Sequence, residues 1–328
     1  MTESIQPDLS VIVVSFNTRD LLRDCLQTLY RYAGRLRLQV IVVDNASDDG
    51  SADMVAAEFP EILLIRSKVN LGFGPANNRG FEAATGRYIV LLNSDAFVDA
   101  DTLPRACARM DEEPDTGLAG GRLVGRDGEW QPSARLFPSL LNEFLTISGL
   151  SAKHPASRFF GRVDRTWADP DLPADVDWVP GAFTIIRTEA LERVGVFDER
   201  FFLYYEEVDL CRRIQAAGYR IRYWPDVRVV HIGGESSRTL KRLTFSGSGN
   251  QLTLWRMRSQ ALYYRKHHGL MAAWLSMQLE RRWHGLRGLR NRLSGSAEKA
   301  EESAVIQTLW RQAWRETEHG RSSPPQPW

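Results

Sequence analysis

Three carboxylates stand close together in the sequence Glu206-Glu207-Val208-Asp209. They open a segment with helical spacing, which we predict to run from Glu206 to Ala217. Carboxylates that share one site raise the pKa of at least one member, and a raised pKa suits a general base that takes a proton from a hydroxyl. The helix dipole also attracts acidic residues to a helix N-terminus, so simple capping is the alternative interpretation.

A second group of polar residues follows three apolar runs in the first hundred residues. The runs are Leu9–Val14, Val40–Val43 and Tyr88–Leu92. The mostly polar segments that follow them are Ser15-Phe16-Asn17, Asp44-Asn45 and Asn93-Ser94-Asp95, in the same order. Continuous apolar runs are typical of strands buried on both faces of a parallel sheet, and ligands of such sheets bind beyond the carboxyl ends of the strands. The sequence therefore predicts a ligand site built from these loops.

Two aspartates in these loops suggest specific chemistry. Asp44 can accept a hydrogen bond from a pyrimidine N3–H group. Asp95 can hold a divalent cation together with substrate phosphates, because Mg²⁺ and Mn²⁺ prefer oxygen ligands. Such a cation would stabilise the charge of a departing diphosphate. The alternative for each aspartate is a turn residue that only caps the following loop.

The elements that must position these residues alternate along the first half of the chain. A helix with apolar residues from Leu22 to Ala33 separates the first two runs, and a third strand is predicted over Ile62–Ile65. The glycine-rich turn Asn70–Gly74 precedes a helix that we expect to end near Gly86. Alternating strands and helices predict an α/β fold with a doubly wound, mostly parallel sheet.

The second half of the chain is less regular. Gly181–Ile186 is predicted to be a strand and Thr188–Val194 a short helix. Two short strands are predicted at Tyr219–Trp224 and Val227–His231. Ser151–Asp177 is rich in Pro, Asp, Arg and Ser without periodicity, and we predict a long surface loop there.

The composition excludes several classes of protein. The 328 residues are 43% apolar and 25% charged, which excludes a disordered or collagen-like chain. The three cysteines are widely spaced and form no CxxC motif, which excludes a disulfide scaffold and argues against structural zinc. The N-terminal apolar run is too short for a secretory signal, and no apolar run approaches the roughly 18 residues of a membrane span. We therefore expect a cytoplasmic protein.

Positive charge is concentrated in the C-terminal tail. From Lys241 onward the chain has 15 Lys and Arg against six Asp and Glu, together with six of the ten Trp. Within this tail Met271–Leu293 has the pattern of a basic amphipathic helix. Such a helix packs on the main domain, forms a homodimer interface, or binds an anionic membrane at the inner face of the cell membrane. No nucleic-acid-binding motif accompanies the tail, so nucleic acid is not expected as a partner.

The motifs, taken in order, resemble those of inverting family 2 glycosyltransferases, which have the GT-A fold. The similar segments are SVIVVSFN, VIVVDNASDDGS, NLGFGPANNRGF, YIVLLNSDAFV, VPGAFTIIR and FDERFFLYYEEVDLCRR, followed by His231. The resemblance covers about residues 9–236 and points to the rhamnosyltransferase-like branch that builds cell-surface polysaccharides. Asn93-Ser94-Asp95 stands at the place of the family's DxD signature, with Asn in place of the first Asp.

The resemblance implies roles for individual residues. It places at the nucleotide-sugar donor Ser15, Phe16, Asn17, Asp44, Asn45, Gly72, Asn77, Asn78, Asn93 and Ser94. It assigns the divalent cation, Mg²⁺ or Mn²⁺, to Asp95 and His231. Glu207 stands at the position of the catalytic base, with Asp209 as its competitor and Glu206 beside them. The residues expected at the acceptor are Trp178, Gly181, Ala182 and Tyr204, whose aromatic members would stack on a sugar face.

These observations predict a metal-assisted inverting glycosyltransferase that moves a sugar from a nucleoside-diphosphate donor to a glycan or polyprenyl-linked glycan. The resemblance favours dTDP-rhamnose as the donor, with UDP-sugars next. The alternatives are a sugar-phosphate nucleotidyltransferase, which would need a basic Gly-rich loop after the first strand, and a catalytically silent glycan-binding subunit. We expect donor binding in residues 1–120, acceptor binding and the base in residues 121–240, and a helical tail in residues 241–328.

Overall fold

The computed structural model describes residues 6–233 and 248–325, which form two compact units. The first unit consists of residues 6–136, 169–198 and 207–233, and the second of residues 137–168, 199–206 and 248–325. The expected boundary at residue 240 lies outside the described residues. The division of the preceding chain into donor and acceptor parts stays a prediction.

A mixed β-sheet forms the centre of the first unit. Its strands are β1 (Leu9–Ser15), β2 (Leu38–Asp44), β3 (Leu63–Arg66), β4 (Tyr88–Asn93), β5 (Ala96–Val98), β6 (Thr116–Val124), β7 (Trp130–Gln131), β8 (Ala174–Asp175), β9 (Phe183–Arg187) and β10 (Arg220–His231). Eight of them follow the order β3-β2-β1-β4-β9-β6-β10-β5, while β7 pairs with β6 and β8 with β10. The predicted α/β class with a central sheet is thereby confirmed.

Strands β3, β2, β1 and β4 are parallel, and their register aligns the polar loops. Ser15 at the end of β1 lies opposite Asp44 at the end of β2. Val14 of β1 lies opposite Asn93 at the end of β4. Because consecutive side chains of β1, β2 and β4 are buried, the apolar runs fix this register, and the three polar loops emerge at one edge of the sheet.

Beyond β4 the sheet is mixed. Strand β9 is antiparallel to both β4 and β6, a direction that the prediction of a mostly parallel sheet did not assign. The two short strands predicted between residues 219 and 231 are one strand, β10, whose pairing with β6 shifts register between Trp224 and Arg228. Pro225 has no N–H group to donate to the ladder, which explains why the sequence pattern breaks where the strand continues.

Helices connect the strands of the first unit. They are α1 (Arg19–Tyr32), α2 (Ser51–Glu58), α3 (Phe73–Ala83), α4 (Thr102–Glu112), α7 (Thr188–Val194) and α8 (Glu206–Ala216), the last beginning at the final residue of a second-unit segment. Helix α1 buries Leu22, Cys25, Leu26 and Leu29, the apolar face that its sequence spacing predicts. Helix α3 ends at Ala83, three residues earlier than expected.

The segment predicted as one long loop carries short elements of structure. Helix α6 (Leu150–Lys153) and a 3-10 helix (Phe160–Arg162) lie in its first half, and β8 lies near its end. Thr166 ties the loop to itself by donating a hydrogen bond to Pro155 O at 2.8 Å. Such local side chain to backbone bonds order a segment that has no apolar periodicity.

Long helices dominate the second unit. Helix α9 (Ser248–Leu293) changes direction at Gly269, whose φ of 82° is left-handed, and α10 (Ala297–Glu316) follows. Together with α5 (Leu140–Ile147) they form this unit's helical layer. Its core contains Leu254, Met257, Ala261, Met277, Leu309, Trp310 and Ala313. The predicted amphipathic helix Met271–Leu293 thus forms the second segment of α9. No helix in the described parts of the chain is long and apolar enough to cross a membrane.

Candidate active site

Hydroxyl groups join the loops after β1 and β4. The Thr18 hydroxyl lies 3.1 Å from the Ser15 hydroxyl and 2.8 Å from the Ser94 hydroxyl, and all three residues are buried. Asn17 has a φ of 53° and accepts a hydrogen bond from the Asp48 N–H at 2.8 Å. The loops predicted at the donor therefore form one hydrogen-bonded edge, with Phe16 partly exposed between them.

One carboxylate oxygen of Asp44 is buried and accepts no hydrogen bond from the described residues. Its side chain is 4% exposed, and Oδ2 accepts a hydrogen bond from the Ser47 N–H at 3.2 Å. No described residue donates a hydrogen bond to Oδ1, which is buried. Burial raises the pKa of Asp44 above its usual value, and the hydrogen bonds from Ser47 offset part of this effect. A ligand N–H group would satisfy the open acceptor.

Asn45 shapes the glycine-rich turn before α3. Its Nδ2 donates to Asn70 Oδ1 at 2.9 Å and to Gly72 O at 3.2 Å, and its Oδ1 accepts from the Leu71 N–H at 2.8 Å. Gly72 has a φ of 84°, which only glycine adopts without strain. The side chain of Asn45 thus positions the turn that leads into the N-terminus of α3.

Asn77 and Asn78 make internal hydrogen bonds. Asn77 Nδ2 donates to Phe73 O at 2.9 Å, one turn earlier in α3. Asn78 Nδ2 donates to Phe197 O at 2.9 Å, and its Oδ1 accepts from the Phe197 N–H at 3.0 Å. Both side chains are almost fully buried. These contacts give the two amides a structural role, and their contact with a donor stays a prediction.

Asp95 and His231 lie together beyond β4 and at the end of β10. His231 Nε2 is 3.4 Å from Asp95 Oδ1 and 3.4 Å from Asn93 Nδ2. Antiparallel pairing of β5 with β10 sets His231 opposite Ala96, and the Ile232 N–H donates to Asp95 O at 3.0 Å. The structure therefore brings together the two residues that the sequence predicts as metal ligands.

Gln131 orients the ring of His231. Gln131 Nε2 donates to His231 O at 2.9 Å, so the amide oxygen faces the ring and lies 3.0 Å from Nδ1. An amide oxygen only accepts hydrogen bonds, so Nδ1 is the donor of this contact, and Nε2 is the ring nitrogen that faces Asp95. A hydrogen bond from the other ring nitrogen is the usual support of a metal-binding histidine.

Asp95 and His231 together suit a cation that takes most of its ligands from the bound nucleotide. Among the described residues, no group of three or more His, Cys, Asp and Glu side chains could hold a metal ion. Asp95 and His231 supply one carboxylate and one imidazole, on side chains that are 7% and 15% exposed. Mg²⁺ and Mn²⁺ are bound by one or two protein ligands plus phosphate oxygens, whereas structural zinc takes four protein ligands. The pair therefore fits a nucleotide-bound Mg²⁺ or Mn²⁺.

Glu207, in the first turn of α8, has the properties of a base. Its Oε2 is buried, and no described residue forms a hydrogen bond to it. Burial raises the pKa of Glu207 above its usual value, while backbone hydrogen bonds from residues 207 and 208 and the charge of Arg135 partly offset this. A carboxylate with an open oxygen and a raised pKa can accept a proton from a bound hydroxyl. Glu206, which precedes it, is 3% exposed.

The Asp209 carboxylate is buried and hydrogen-bonded within the protein. Its side chain is fully buried, and its Oδ2 accepts a hydrogen bond from Arg213 Nε at 2.9 Å. Arg213 also donates to the carbonyl oxygens of Val194, Gly195 and Val196 at 2.7–2.9 Å. Asp209 and Arg213 thus join α8 to the end of α7. No sequence pattern indicates this role for Arg213, because arginines on helices are usually solvated.

Three residues predicted at the acceptor lie in the first unit. Ala182 O accepts a hydrogen bond from the Asn93 N–H at 3.0 Å, so this segment adjoins the loop after β4. A Cβ atom at Gly181 would lie 3.1 Å from the Phe73 ring, so a side chain there would be crowded. The Trp178 indole donates to Leu136 O at 2.9 Å, and the Arg135 guanidinium lies 5.0 Å from its ring centroid.

The fourth predicted acceptor residue, Tyr204, belongs to the second unit. It is 37% exposed and has a φ of 69°, and Tyr205 after it has a φ of 70°. Two consecutive left-handed residues other than glycine are unusual and cost free energy. The Tyr205 hydroxyl offsets part of that cost by donating to Glu143 Oε1 at 3.2 Å.

Sequence reasoning did not find Gln131 and Arg135. Gln131 lies in the two-residue strand β7, and Arg135 lies in an isolated bridge to Trp178. Neither segment has a periodic pattern or a chemical motif, so one sequence alone carries no signal for them. Their roles arise from the pairing of β7 with β6 and of Arg135 with Trp178.

The mixed sheet, whose strand ends carry the acidic and amide residues described above, has the architecture of the GT-A fold. The sequence model described as Glycosyl transferase family 2 matches residues 10–194. The chain belongs to this family. The resemblance seen in the motifs is thereby confirmed.

Two named relatives have a related sequence. The N-acetylglucosaminyl-diphospho-decaprenol L-rhamnosyltransferase of Mycobacterium tuberculosis is 28% identical over 236 residues, which are 68% of this chain and 75% of that protein. Rhamnosyltransferase WbbL of Escherichia coli is 26% identical over 243 residues, which are 70% of this chain and 85% of that protein. Both relatives are named as rhamnosyltransferases.

Solved structures have a similar fold. Mannosyltransferase PcManGT from Pyrobaculum calidifontis has a TM-score of 0.51 and 18% identity, and the match covers 97% of this chain and 89% of that one. GalNAc-T7 has a TM-score of 0.53 and 13% identity, with 81% of this chain and 55% of that one covered. At such identities the similarity concerns the fold alone, and it supports the GT-A architecture.

Proposed function

We propose that the protein transfers rhamnose from dTDP-rhamnose to a lipid-linked glycan, with inversion at the anomeric carbon. Two relatives are named rhamnosyltransferases, and the name of one specifies an N-acetylglucosaminyl-diphospho-decaprenol. These names suggest the sugar and the class of acceptor. UDP-sugars are the second class of donor, and the crystal structure of GalNAc-T7 was solved with UDP, GalNAc and Mn²⁺.

The open acceptor on Asp44 carries the proposal for the donor. Its Oδ1 is buried at the end of β2 and accepts no hydrogen bond from the described residues. Thymine and uracil each present one N3–H donor, which would satisfy this oxygen. Adenine and cytosine have no proton on the corresponding ring nitrogen. The site therefore favours dTDP- and UDP-sugars over ADP- and CDP-sugars.

Asp95 and His231 are the residues that would hold the divalent cation. PcManGT was solved in complex with GDP-Man and Mn²⁺, which supports a cation in this fold. When bound, the cation supplies electrostatic stabilisation of the diphosphate as it leaves. Gln131 holds the His231 ring with Nε2 directed toward Asp95, so the protein positions both ligands before the nucleotide arrives.

Glu207 is the base in the proposed reaction. The acceptor hydroxyl oxygen forms a bond to the anomeric carbon, and the bond from that carbon to the diphosphate oxygen breaks with its electron pair on the nucleotide. The hydroxyl proton passes to a Glu207 carboxylate oxygen. One displacement without a covalent enzyme intermediate inverts the anomeric carbon. Asp209 is less suited to the task, because its carboxylate is engaged by Arg213.

A donor panel tests this function directly. The purified chain is incubated with Mn²⁺ and dTDP-rhamnose, UDP-GlcNAc, UDP-galactose, GDP-mannose or ADP-glucose, with a short-chain polyprenyl-diphosphate GlcNAc as acceptor. We expect transfer from dTDP-rhamnose first and from UDP-sugars more slowly. The one-bond C1–H1 coupling constant of the transferred rhamnose reports the configuration of the product. Transfer from GDP-mannose alone, or a product with retained configuration, would refute the proposal.

A further inference from the structure

The second segment of α9, residues 270–293, exposes large apolar side chains. Of the fifteen described large apolar residues that are more than a third exposed, seven lie in this segment. They are Leu270 (49%), Met271 (67%), Trp274 (38%), Leu275 (40%), Leu286 (67%), Leu289 (58%) and Leu293 (82%). Scattered exposed hydrophobic residues are normal in folded proteins, but a concentration on one helix indicates an interaction surface.

These residues share one face of the helix. Met271, Leu275, Leu286, Leu289 and Leu293 are separated by three, four or eleven positions, which places them in one row along an α-helix. We call this row, with Arg282 in its middle, the exposed stripe. The segment spans about 36 Å at 1.5 Å per residue.

The opposite face of the same segment is already covered. Ala273, Met277 and Asn291 are at most 4% exposed, and Met277 belongs to the core that contains Leu309 and Trp310 of α10. Packing within the second unit therefore uses the other side of the helix. The exposed stripe is an apolar face that no described residue covers.

The charges along the segment are almost all positive. Arg282, Arg290 and Arg292 are exposed, and the sole acidic residue between positions 270 and 293 is Glu280. Glu280 is 5% exposed and pairs with Arg256 at 2.8 Å, so it adds no negative charge to the surface. Burial, together with the positive charges of Arg311 and Arg282, lowers the pKa of Arg281. The segment therefore combines exposed apolar side chains with exposed positive charges.

We propose that the exposed stripe binds the surface of an anionic lipid bilayer, with α9 lying in the plane of the interface. Leucine and methionine side chains would enter the boundary between headgroups and acyl chains, while arginines would reach the phosphates. This proposal rests on the proposed function. A lipid-linked acceptor is confined to a membrane, so an enzyme that uses it must reach the membrane surface.

A bilayer suits this surface better than a second copy of the chain. A symmetric dimer through the same stripe would set its arginines against the equivalent arginines, and the stripe offers no exposed carboxylate to pair with them. Anionic lipids provide the complementary charge, which attracts each arginine near the membrane surface. Charge complementarity thus favours an anionic bilayer over a second copy of the chain as the partner of the exposed stripe.

Sedimentation with vesicles tests the proposal on the full chain. The vesicles contain equal parts of phosphatidylcholine and phosphatidylglycerol, and neutral vesicles contain phosphatidylcholine alone. The double variant Leu286→Ser/Leu289→Ser should lower the partition coefficient about 100-fold, since each inserted leucine contributes roughly tenfold. The matched control is Leu63→Ser/Leu172→Ser, which removes two leucines that are 45% and 60% exposed elsewhere and should leave partitioning unchanged.

Each outcome decides the question. Binding to anionic vesicles that only the stripe variant loses, and that neutral vesicles do not reproduce, supports the proposal. Equal losses in both variants, or no binding by the wild type, overturn it. A wild-type dimer in analytical ultracentrifugation that the stripe variant converts to monomer, without vesicle binding, would assign the stripe to a second copy instead.

The failure of the proposed function would be visible separately. Both variants are assayed for rhamnosyl transfer to a water-soluble GlcNAc glycoside, which needs no membrane. Retained transfer by the stripe variant shows that its defect is confined to the membrane. If the wild type transfers no rhamnose but still binds anionic vesicles, the proposed donor is wrong while the membrane surface stands.

Discussion

Replacing Glu207 by glutamine keeps the size of the side chain and its hydrogen-bonding groups but removes its ability to accept a proton. Replacing Asp209 by asparagine makes the same chemical change two residues later in α8. The structure predicts opposite consequences for the two variants, because Glu207 has an open buried oxygen and Asp209 is paired with Arg213. The comparison therefore separates a catalytic carboxylate from a structural one within a single turn of helix.

The expected magnitudes follow from these contacts. Loss of a general base lowers turnover by roughly 10²–10⁴-fold, and Glu207→Gln should show this loss with little change in the free energy of unfolding. Asp209→Asn removes the charge that balances Arg213 from a side chain that is 0% exposed. Removing one partner of a buried pair costs about 3–5 kcal/mol. Arg213 keeps three carbonyl acceptors and is 20% exposed, so we expect the lower limit, about 3 kcal/mol.

Two assays measure these effects. Turnover is followed by release of the nucleoside diphosphate at saturating donor, and the free energy of unfolding is taken from urea denaturation followed by circular dichroism. Wild-type turnover should also rise with pH through the raised pKa of Glu207, because only the ionised carboxylate accepts a proton. This acidic limb should be absent from the residual activity of Glu207→Gln.

The reverse result would assign the roles of Glu207 and Asp209 the other way round. If Asp209→Asn keeps its stability and loses turnover while Glu207→Gln remains active, the base is Asp209 and the ion pair with Arg213 is not structural. Near-normal turnover in both variants would mean that the acidic cluster only caps α8.

Three further predictions concern the remaining carboxylates. Asp44→Ala should weaken binding of dTDP about 10- to 100-fold in calorimetry, as expected for a hydrogen bond to a charged group; unchanged affinity would contradict the base-binding role. Asp95→Ala should abolish Mn²⁺-dependent nucleotide binding while thermal unfolding stays the same, and an active variant that is insensitive to chelator would exclude this ligand. Burial raises the pKa of Glu143 from 4.5 to about 7, so the folded state holds a proton that the unfolded state has lost. The free energy of unfolding should then fall by roughly 3 kcal/mol as pH rises from 4.5 to 7. Urea denaturation at several pH values should show that Glu143→Gln removes this decline. The same dependence of the free energy of unfolding on pH in both proteins would show that Glu143 is ionised throughout.

Local sequence patterns predicted the elements around the donor side of the site. Strands β1 and β4 each end one residue beyond their predicted bounds, and α7 matches its prediction. Such success has a physical basis, since a strand buried on both faces requires an uninterrupted apolar run and each short helix has its own spacing. The parallel register of β1, β2 and β4 then places Asp44 and Asn93 at one edge.

The pattern failed where pairing is non-local. Strand β9 inserts antiparallel between β4 and β6, and β10 continues past Pro225 with a shift in register. Neither feature has a local signature, because the partner strands lie far away in the sequence and only the assembled sheet decides their direction. Packing likewise decided that one face of residues 270–293 is buried and the other exposed.

The sequence alone indicated the family and the α/β class. It also indicated which chemical groups form the site, namely Asp44, Asp95 and the carboxylates of α8. How those groups differ from one another became visible in the folded chain. Gln131 orients His231 from 100 positions away, and Arg213 engages Asp209 while Glu207 keeps an open oxygen. The physical reason is that burial and the choice of hydrogen-bond partner set the protonation and reactivity of a side chain. Both depend on residues brought together by folding, which local sequence patterns do not specify.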